Sequence, residues 1–118
     1  MDIESLRAYC LDKKGATESM PFGDKTLVFK VMNKMFALAS LDTVPLRINL
    51  KCDPDKAVEL REAHDQVQPG YHMNKQHWNT VILDGGLPQP FVHELIDHSF
   101  DLIIQGLPKK VKSTFDDL

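Results

Sequence analysis

The chain has few of the features that would assign a protein to a class at once. Among its 118 residues there are two cysteines, Cys10 and Cys52, which form neither a C-x-x-C pair nor a zinc-ligand spacing, so we expect reduced, mostly buried thiols. No apolar run approaches the roughly 20 residues that cross a bilayer. Residues 1–4 lack the basic region and apolar stretch of a signal peptide. We therefore expect a cytoplasmic protein without membrane contact.

Sequence signatures of catalysis and cofactor binding are missing as well. The chain contains no Walker A loop, no G-x-G-x-x-G and no G-x-S-x-G elbow. His93 and His98 are five residues apart, about 140° around a helix, so they cannot hold one ion. His72 and His77 lack paired cysteine or carboxylate ligands. We predict no catalytic residue, no metal and no cofactor, and an enzyme built on His72, Lys75 and His77 ranks last among the alternatives.

The composition is that of one ordinary globular domain. Hydrophobic residues make up 42% and charged residues 26%, enough to build a core without disulfides. In the first half, the apolar spacing predicts a helix over 3–13 that begins after Asp2. Strands follow at 27–32 and 35–41, joined by a turn at Asn33–Lys34, and a strictly alternating strand occupies 46–52.

The second half predicts another helix, two strands and a last helix. Asp53 and Pro54 are favoured at a helix start, and this helix extends to about His64. A short strand is expected at 71–73, a longer one at 78–83, and an amphipathic helix from about residue 91 to Gly106. The predicted fold is a two-layer α+β domain of order αβββαββα, with the domain over 1–108 and a frayed tail over 109–118.

Charge is unevenly distributed along the chain, whose net charge is −3. Residues 25–51 hold five basic residues and one acidic residue, whereas residues 84–105 hold four acidic residues and no basic one. The predicted strand segments are therefore positive and the predicted helix segments negative.

The positive segments also contain aromatic residues. The set comprises Lys25, Lys30, Lys34, Arg47, Lys51 and Lys75 with Phe29, Phe36, Tyr71 and Trp78. If the helices pack mainly on one sheet face, the other face can hold phosphates and stack bases. The alternative is that the lysines protect strand edges and the rings fill the core. The pattern alone leaves both interpretations open.

Several segments resemble the MmcQ/YjbR family. They are Met20-Pro21-Phe22-Gly23, Val28-Phe29-Lys30-Val31, Lys34-Met35-Phe36-Ala37, Leu50-Lys51-Cys52, residues 69–75 (PGYHMNK), His77-Trp78 and His98-Ser99-Phe100. The resemblance runs from about residue 2 to residue 105. It implies the YjbR and secretion-chaperone fold with an antiparallel sheet, and a DNA-binding role through a double-wing-like arrangement. Asn33 replaces a frequent glycine, and Phe100 replaces a frequent tyrosine, so a role for that hydroxyl is not expected here.

Two functions follow as hypotheses. The first is a non-enzymatic DNA-binding protein whose basic sheet and hairpin surface contacts the backbone through Lys30, Lys34, Arg47, Lys51 and Lys75, with His77 and Trp78 nearby. The second is a module for a small anionic ligand or a partner protein, for which the candidate ligand-binding residues are Tyr71, His72, Asn74, Lys75 and His77. The sequence leaves the oligomeric state open.

Overall fold

One antiparallel sheet and one layer of helices make up the fold. Within residues 1–70 and 73–118, which the computed structural model describes, there are six strands and four helices. The helices are α1 (Ile3–Leu11), α2 (Pro54–Ala63), α3 (Gln89–Gln105) and α4 (Lys109–Asp116). The strands are β1 (Ala16–Ser19), β2 (Thr26–Val31), β3 (Lys34–Ser40), β4 (Leu46–Lys51), β5 (Val67–Pro69) and β6 (Trp78–Leu83).

The spatial order of the strands is β1-β2-β3-β4-β6-β5, and every neighbouring pair is antiparallel. The predicted α+β class and antiparallel sheet are confirmed. The chain order is αββββαββαα, which is the predicted order with β1 and α4 added.

Side-chain alternation divides the sheet into two faces. The covered face meets the helices and carries Phe29, Ile48, Leu50 and Val81, each at most 2% exposed. Burying an apolar side chain of this size contributes about 1.5–3 kcal/mol, so this face supplies most of the stability. The open face is the opposite one. Its residues are Thr26, Val28, Lys30, Met35, Leu38, Ser40, Arg47, Asn49, Lys51, Trp78, Thr80 and Ile82.

The first two helices begin as the sequence predicts. The Asp2 carboxylate accepts a hydrogen bond from the backbone N–H of Ser5 at 2.8 Å, and Asp53 accepts one from Lys56 at 3.2 Å. Each bond satisfies a backbone donor that has no partner within its helix.

The β2–β3 hairpin turns one residue earlier than predicted. Met32 and Asn33 have φ of 48° and 66°, so both central positions of a two-residue turn are left-handed. Asparagine tolerates this conformation, whereas methionine is strained in it. Met32 packs against the core, which helps to compensate for the strain.

Three regions correct the sequence-based description. Strand β1 was not predicted, because its residues Ala16–Ser19 lack an apolar stripe. The tail expected to be frayed over 109–118 instead contains α4, whose Phe115 is 7% exposed and lies against Phe100. The strand expected at 71–73 is not seen at Met73, and residues 71 and 72 lie outside the described part of the chain. The short strand lies at Val67–Pro69 instead.

A serine of α3 joins the helix layer to the sheet where β3 and β4 separate. The Ser99 hydroxyl donates to the Phe36 carbonyl at 2.6 Å and accepts from the Lys51 N–H at 2.9 Å. These two backbone groups do not bond to each other across the strands, and each bonds to the Ser99 hydroxyl instead. Because Ser99 is fully buried, these bonds satisfy groups that water does not reach. This contact fixes the end of β4, where Lys51 is located.

Candidate functional site

The open face places three of the predicted cationic residues together. Strand alternation puts Lys30 on β2 and both Arg47 and Lys51 on β4 on this face. Lys30 and Lys51 lie near the same end, with β3 between their strands, so their backbones are about 10 Å apart. Arg47 lies four residues along β4, about 13 Å from Lys51. The cations therefore border the face at both ends.

No carboxylate neutralises these three cations in the part of the chain that the structure describes. Glu18 is the only acidic residue within the described strands, and it points to the covered face. There it accepts hydrogen bonds from Arg7 at 2.6 Å and 2.9 Å, and these bonds hold the pKa of Glu18 below its ordinary value. The salt bridges found among the described residues include none of the open-face cations.

Lys34 does not belong to the open face. It pairs with Val31, whose side chain is in the core, so it projects from the hairpin toward the helix side. With Lys51 it borders a shallow cavity of about 210 Å³ at the end of α3, next to Leu102 and Gly106. The predicted cationic set is therefore split between the open face and the hairpin end.

The segment after β5, described at residue 70 and over 73–77, adjoins the open face at Met73 and includes Asn74, Lys75 and His77 of the predicted set. Gly70 is required at its start, because a Cβ there would lie 2.8 Å from the Trp78 backbone. Arg61 donates to the Lys75 carbonyl at 2.7 Å, and Cys52 donates its N–H to the His77 carbonyl at 2.8 Å, so the backbone at both positions is anchored. The side chains of Lys75 and His77 are exposed.

The other predicted residues of this region have different surroundings. Trp78 is half-buried on the open face opposite Lys51. The Asn74 side chain accepts from the Gln76 N–H at 2.9 Å and so supports a local turn. Tyr71 and His72, predicted as ligand-binding residues, lie outside the described residues.

A groove that sequence reasoning missed crosses the open face. It has a volume of about 340 Å³ and is lined by Phe22, Thr26, Met35, Leu38, Ser40, Asn49 and Met73. Phe22 precedes β2 and Met73 precedes β6, so two segments that are distant in the chain line one groove together with residues of β2, β3 and β4. The exposed Pro-Phe-Gly turn was the available sequence signal, since it places an aromatic ring outside the core.

The helix side contains a separate polar cluster. The Tyr9 hydroxyl donates to the Asp97 carboxylate at 2.6 Å, and Lys13 forms an ion pair with the same oxygen. Burial opposes ionisation of Asp97, but the bonds from Lys13 and Tyr9 outweigh it and hold the pKa of Asp97 below its ordinary value. Burial and the bond to Asp97 raise the pKa of Tyr9 to about 12. This cluster braces α1 against α3 with its charges paired.

The cysteines and His98 have structural surroundings. Both thiols are free and buried, as predicted, and burial raises the pKa of Cys10 to about 12 and that of Cys52 in the same direction. His98 accepts a hydrogen bond from the Asp53 N–H at 3.1 Å. Burial and the nearby Lys56 lower the pKa of His98. Among residues 1–70 and 73–118, no three His, Cys, Asp or Glu side chains are grouped to hold a metal.

The charge of the helix layer agrees with the prediction only in part. Helix α3 carries three acidic residues and no basic one, as expected. Helix α4 carries three exposed lysines and one acidic residue, so the predicted acidic character does not extend to it.

Among the helices that the structure describes, none combines the length and the apolar character that a membrane span requires.

These features define an α+β protein whose sheet is covered by helices on one face and carries a groove on the other, with three cations that have no ion-pair partner among the described residues. The YjbR family model matches residues 11–102. The chain belongs to the YjbR family.

Similar proteins cover most of the chain. It is 36% identical over 110 residues to an uncharacterized protein YjbR of Escherichia coli (strain K12), covering 93% of each chain. It is 41% identical over 91 residues to an uncharacterized protein YbdF of Escherichia coli O157:H7, covering 76% of this chain and 74% of the relative.

Solved structures are similar to this chain along most of its length. A crystal structure of a Deinococcus radiodurans protein, described as domain DUF419, is 40% identical with a TM-score of 0.91, covering 97% of this chain and 87% of that one. A Pseudomonas syringae protein is 29% identical with a TM-score of 0.74, covering 86% of this chain and 98% of that one.

Proposed function

We propose that the chain is a nucleic-acid-binding protein that uses the open face of its sheet. The observation that carries this proposal is the set of three cations on that face, Lys30, Arg47 and Lys51, which have no carboxylate partner among the described residues. Cations without intramolecular partners can neutralise phosphates and release counterions, which is the main source of affinity in such complexes.

The surroundings of the three cations support the same function. Trp78 lies on the same face and offers a ring for stacking beside Lys51. Lys75 and His77 are exposed in the adjoining loop, where they can reach a backbone that extends beyond the sheet. The acidic helix α3 packs on the covered face, so its charge is directed away from a bound polyanion.

The net charge of −3 is compatible with this proposal, because the sign of the binding surface matters more than the average over the chain. Phosphate contacts by three cations predict a salt slope of about 2.1 for a single strand to about 2.7 for a duplex. The affinity should therefore fall about 20- to 40-fold when salt is raised from about 50 to 200 mM.

The test is fluorescence anisotropy with labelled DNA at these two salt concentrations. The variant Lys30→Gln/Arg47→Gln/Lys51→Gln should lose most of the binding and of the salt dependence. The matched control is Lys109→Gln/Lys110→Gln/Lys112→Gln, which removes the same number of positive charges from α4 on the helix side. The control should bind like the unaltered protein. Absence of binding at low salt, or equal losses in both variants, would contradict the proposal.

A small anionic ligand is the second candidate, and the groove is the observation that favours it. Its volume of about 340 Å³ lies within the range of small-molecule sites, and cations border the same face. Thermal-shift measurements with inorganic phosphate and with mononucleotides test this alternative. A shift with one of these compounds, together with no DNA binding, would favour it over the first candidate.

A further inference from the structure

The groove on the open face has the size and composition to receive one planar ring. Its floor is Leu38, which is 7% exposed, and its walls include Phe22 and the thioethers of Met35 and Met73. Phenyl rings and thioethers are polarisable and pack favourably against the face of an aromatic system. Phe22 is 63% exposed, so most of its ring remains available for a ligand.

Asn49 supplies a directed polar group in the same groove. Its side-chain oxygen accepts a hydrogen bond from the Thr80 hydroxyl at 2.5 Å, and this bond fixes which way the amide points. The amide NH₂ group has no partner among the described residues, although Asn49 is half-buried. Asn49 lines the groove, so its two N–H donors are available to a ligand that occupies it. Every nucleobase has carbonyl oxygens or ring nitrogens that can accept such bonds.

The cations at the two ends of the face complete the arrangement. A chain that crosses the groove passes Lys30 and Lys51 at one end and Arg47 at the other, so phosphates on either side of a seated base would meet positive charge. A duplex keeps its bases stacked and exposes only their edges, whereas a single strand can present the face of a base.

We infer that the open face binds single-stranded nucleic acid, with one base in the groove between Phe22 and Met73 and the backbone across Lys30, Lys51 and Arg47. This inference rests on the proposed function and specifies the form of nucleic acid that the site binds.

The experiment compares a labelled oligothymidylate of 12 nucleotides, a labelled duplex of 12 base pairs, and thymidine monophosphate at one low salt concentration. Anisotropy reports binding of the two labelled DNAs. The fluorescence of Trp78, the only tryptophan in the chain, reports occupation of the open face by all three. The single strand should bind at least about ten-fold more tightly than the duplex and should quench Trp78.

Variants of Phe22 separate stacking from charge. Because stacking on an aromatic residue contributes strongly per base, Phe22→Ala should weaken single-strand binding about five-fold or more, and Phe22→Trp should retain it. The control is Val44→Ala, which removes a fully exposed apolar side chain that does not line the groove. Val44→Ala should leave the affinity unchanged. Thermal melting checks that each variant is folded.

The outcomes distinguish this inference from the proposed function. Equal affinity for single strand and duplex, with no effect of Phe22→Ala, would overturn the inference and leave the proposed function standing. Thymidine monophosphate binding as tightly as the oligonucleotide would also overturn it, because the backbone would then contribute nothing. No binding to either DNA would overturn both.

Discussion

The two faces of the sheet place their charges differently. On the covered side, the ion pair Arg7–Glu18 joins α1 to β1, and Lys13, which follows α1, pairs with Asp97 of α3. On the open side, Lys30, Arg47 and Lys51 have no such partner in the described structure. Paired charges hold elements together, whereas unpaired charges on a face with a groove are available to a ligand. The covered face therefore stabilises the fold, and under the proposed function the open face binds the ligand.

The strongest test of this division is a truncation in the core. Phe36 is fully buried on the helix side and meets Phe100 edge-on, with ring centroids 5.2 Å apart. Phe36→Ala should lower the free energy of unfolding by about 3–5 kcal/mol, measured by urea denaturation. Met35 is next to Phe36 in the chain, but its half-buried side chain lies on the open face. Met35→Ala should therefore lower the free energy of unfolding by about 1 kcal/mol. Similar losses in both variants would contradict the division.

The next effect concerns the connection between the two layers. Ser99→Ala removes the partner of the Phe36 carbonyl and of the Lys51 N–H. Leaving these groups unsatisfied should cost about 1–3 kcal/mol. The control Thr114→Ala removes an exposed hydroxyl that donates to the Lys110 carbonyl, and it should change stability by less than about 0.5 kcal/mol. The stability of both variants is measured as a shift of the urea midpoint. Equal shifts would show that Ser99 stabilises the fold no more than an exposed hydroxyl does.

A smaller effect depends on pH. Because the pKa of His98 is lower in the folded chain than its ordinary value of 6.5, the unfolded chain takes up this proton more readily. Stability should therefore decrease as pH falls through 6.5 toward the folded pKa, as protonation also breaks the bond from the Asp53 N–H. His98→Gln should reduce the change of the melting temperature between about pH 7 and 5. The control His77→Gln, at an exposed position, should leave that change as it is in the unaltered protein. If His98→Gln keeps the full pH dependence, a group other than His98 causes it.

The smallest expected change in stability is on the open face. Lys30→Gln/Lys51→Gln should alter the free energy of unfolding by less than about 0.5 kcal/mol, because neither lysine has an ion-pair partner in the described structure. The same variant should weaken DNA binding. Urea denaturation and anisotropy on one protein sample measure both quantities. A substantial loss of stability would mean that these lysines support the fold.

Much of the fold could be predicted because periodicity and end signals agree. Asp2, Asp53 and Pro54 mark helix starts that the structure confirms, and the alternation over 46–52 correctly separates Ile48 from Arg47. Strand β1 escaped detection because Ala16–Ser19 is held by pairing with β2 and by Arg7, which are long-range contacts. Helix α4 has only Val111 and Phe115 facing the core, which is too few apolar residues for a clear period.

The candidate site was harder to predict than the fold. The sequence correctly indicated cations on the strands, but a count cannot show that Lys34 turns toward the helix side while Lys30 and Lys51 share the open face. The groove is lined by Phe22 and Met73, which are 51 residues apart in the chain, together with residues of β2, β3 and β4. No local sequence pattern indicates that such distant residues share one groove. The binding roles of the predicted site residues stay predictions.

The hydrogen bond from the Lys51 N–H to the Ser99 hydroxyl makes this backbone amide a reporter of the contact between the sheet and α3. Because the Lys51 amide proton is held by a buried hydroxyl of α3, its exchange with deuterated solvent requires the helix to lift from the end of β4. The exchange rate of this one amide therefore measures how firmly the layers are docked. A ligand that grips the Lys51 side chain and steadies that strand end would slow the exchange without touching the helix.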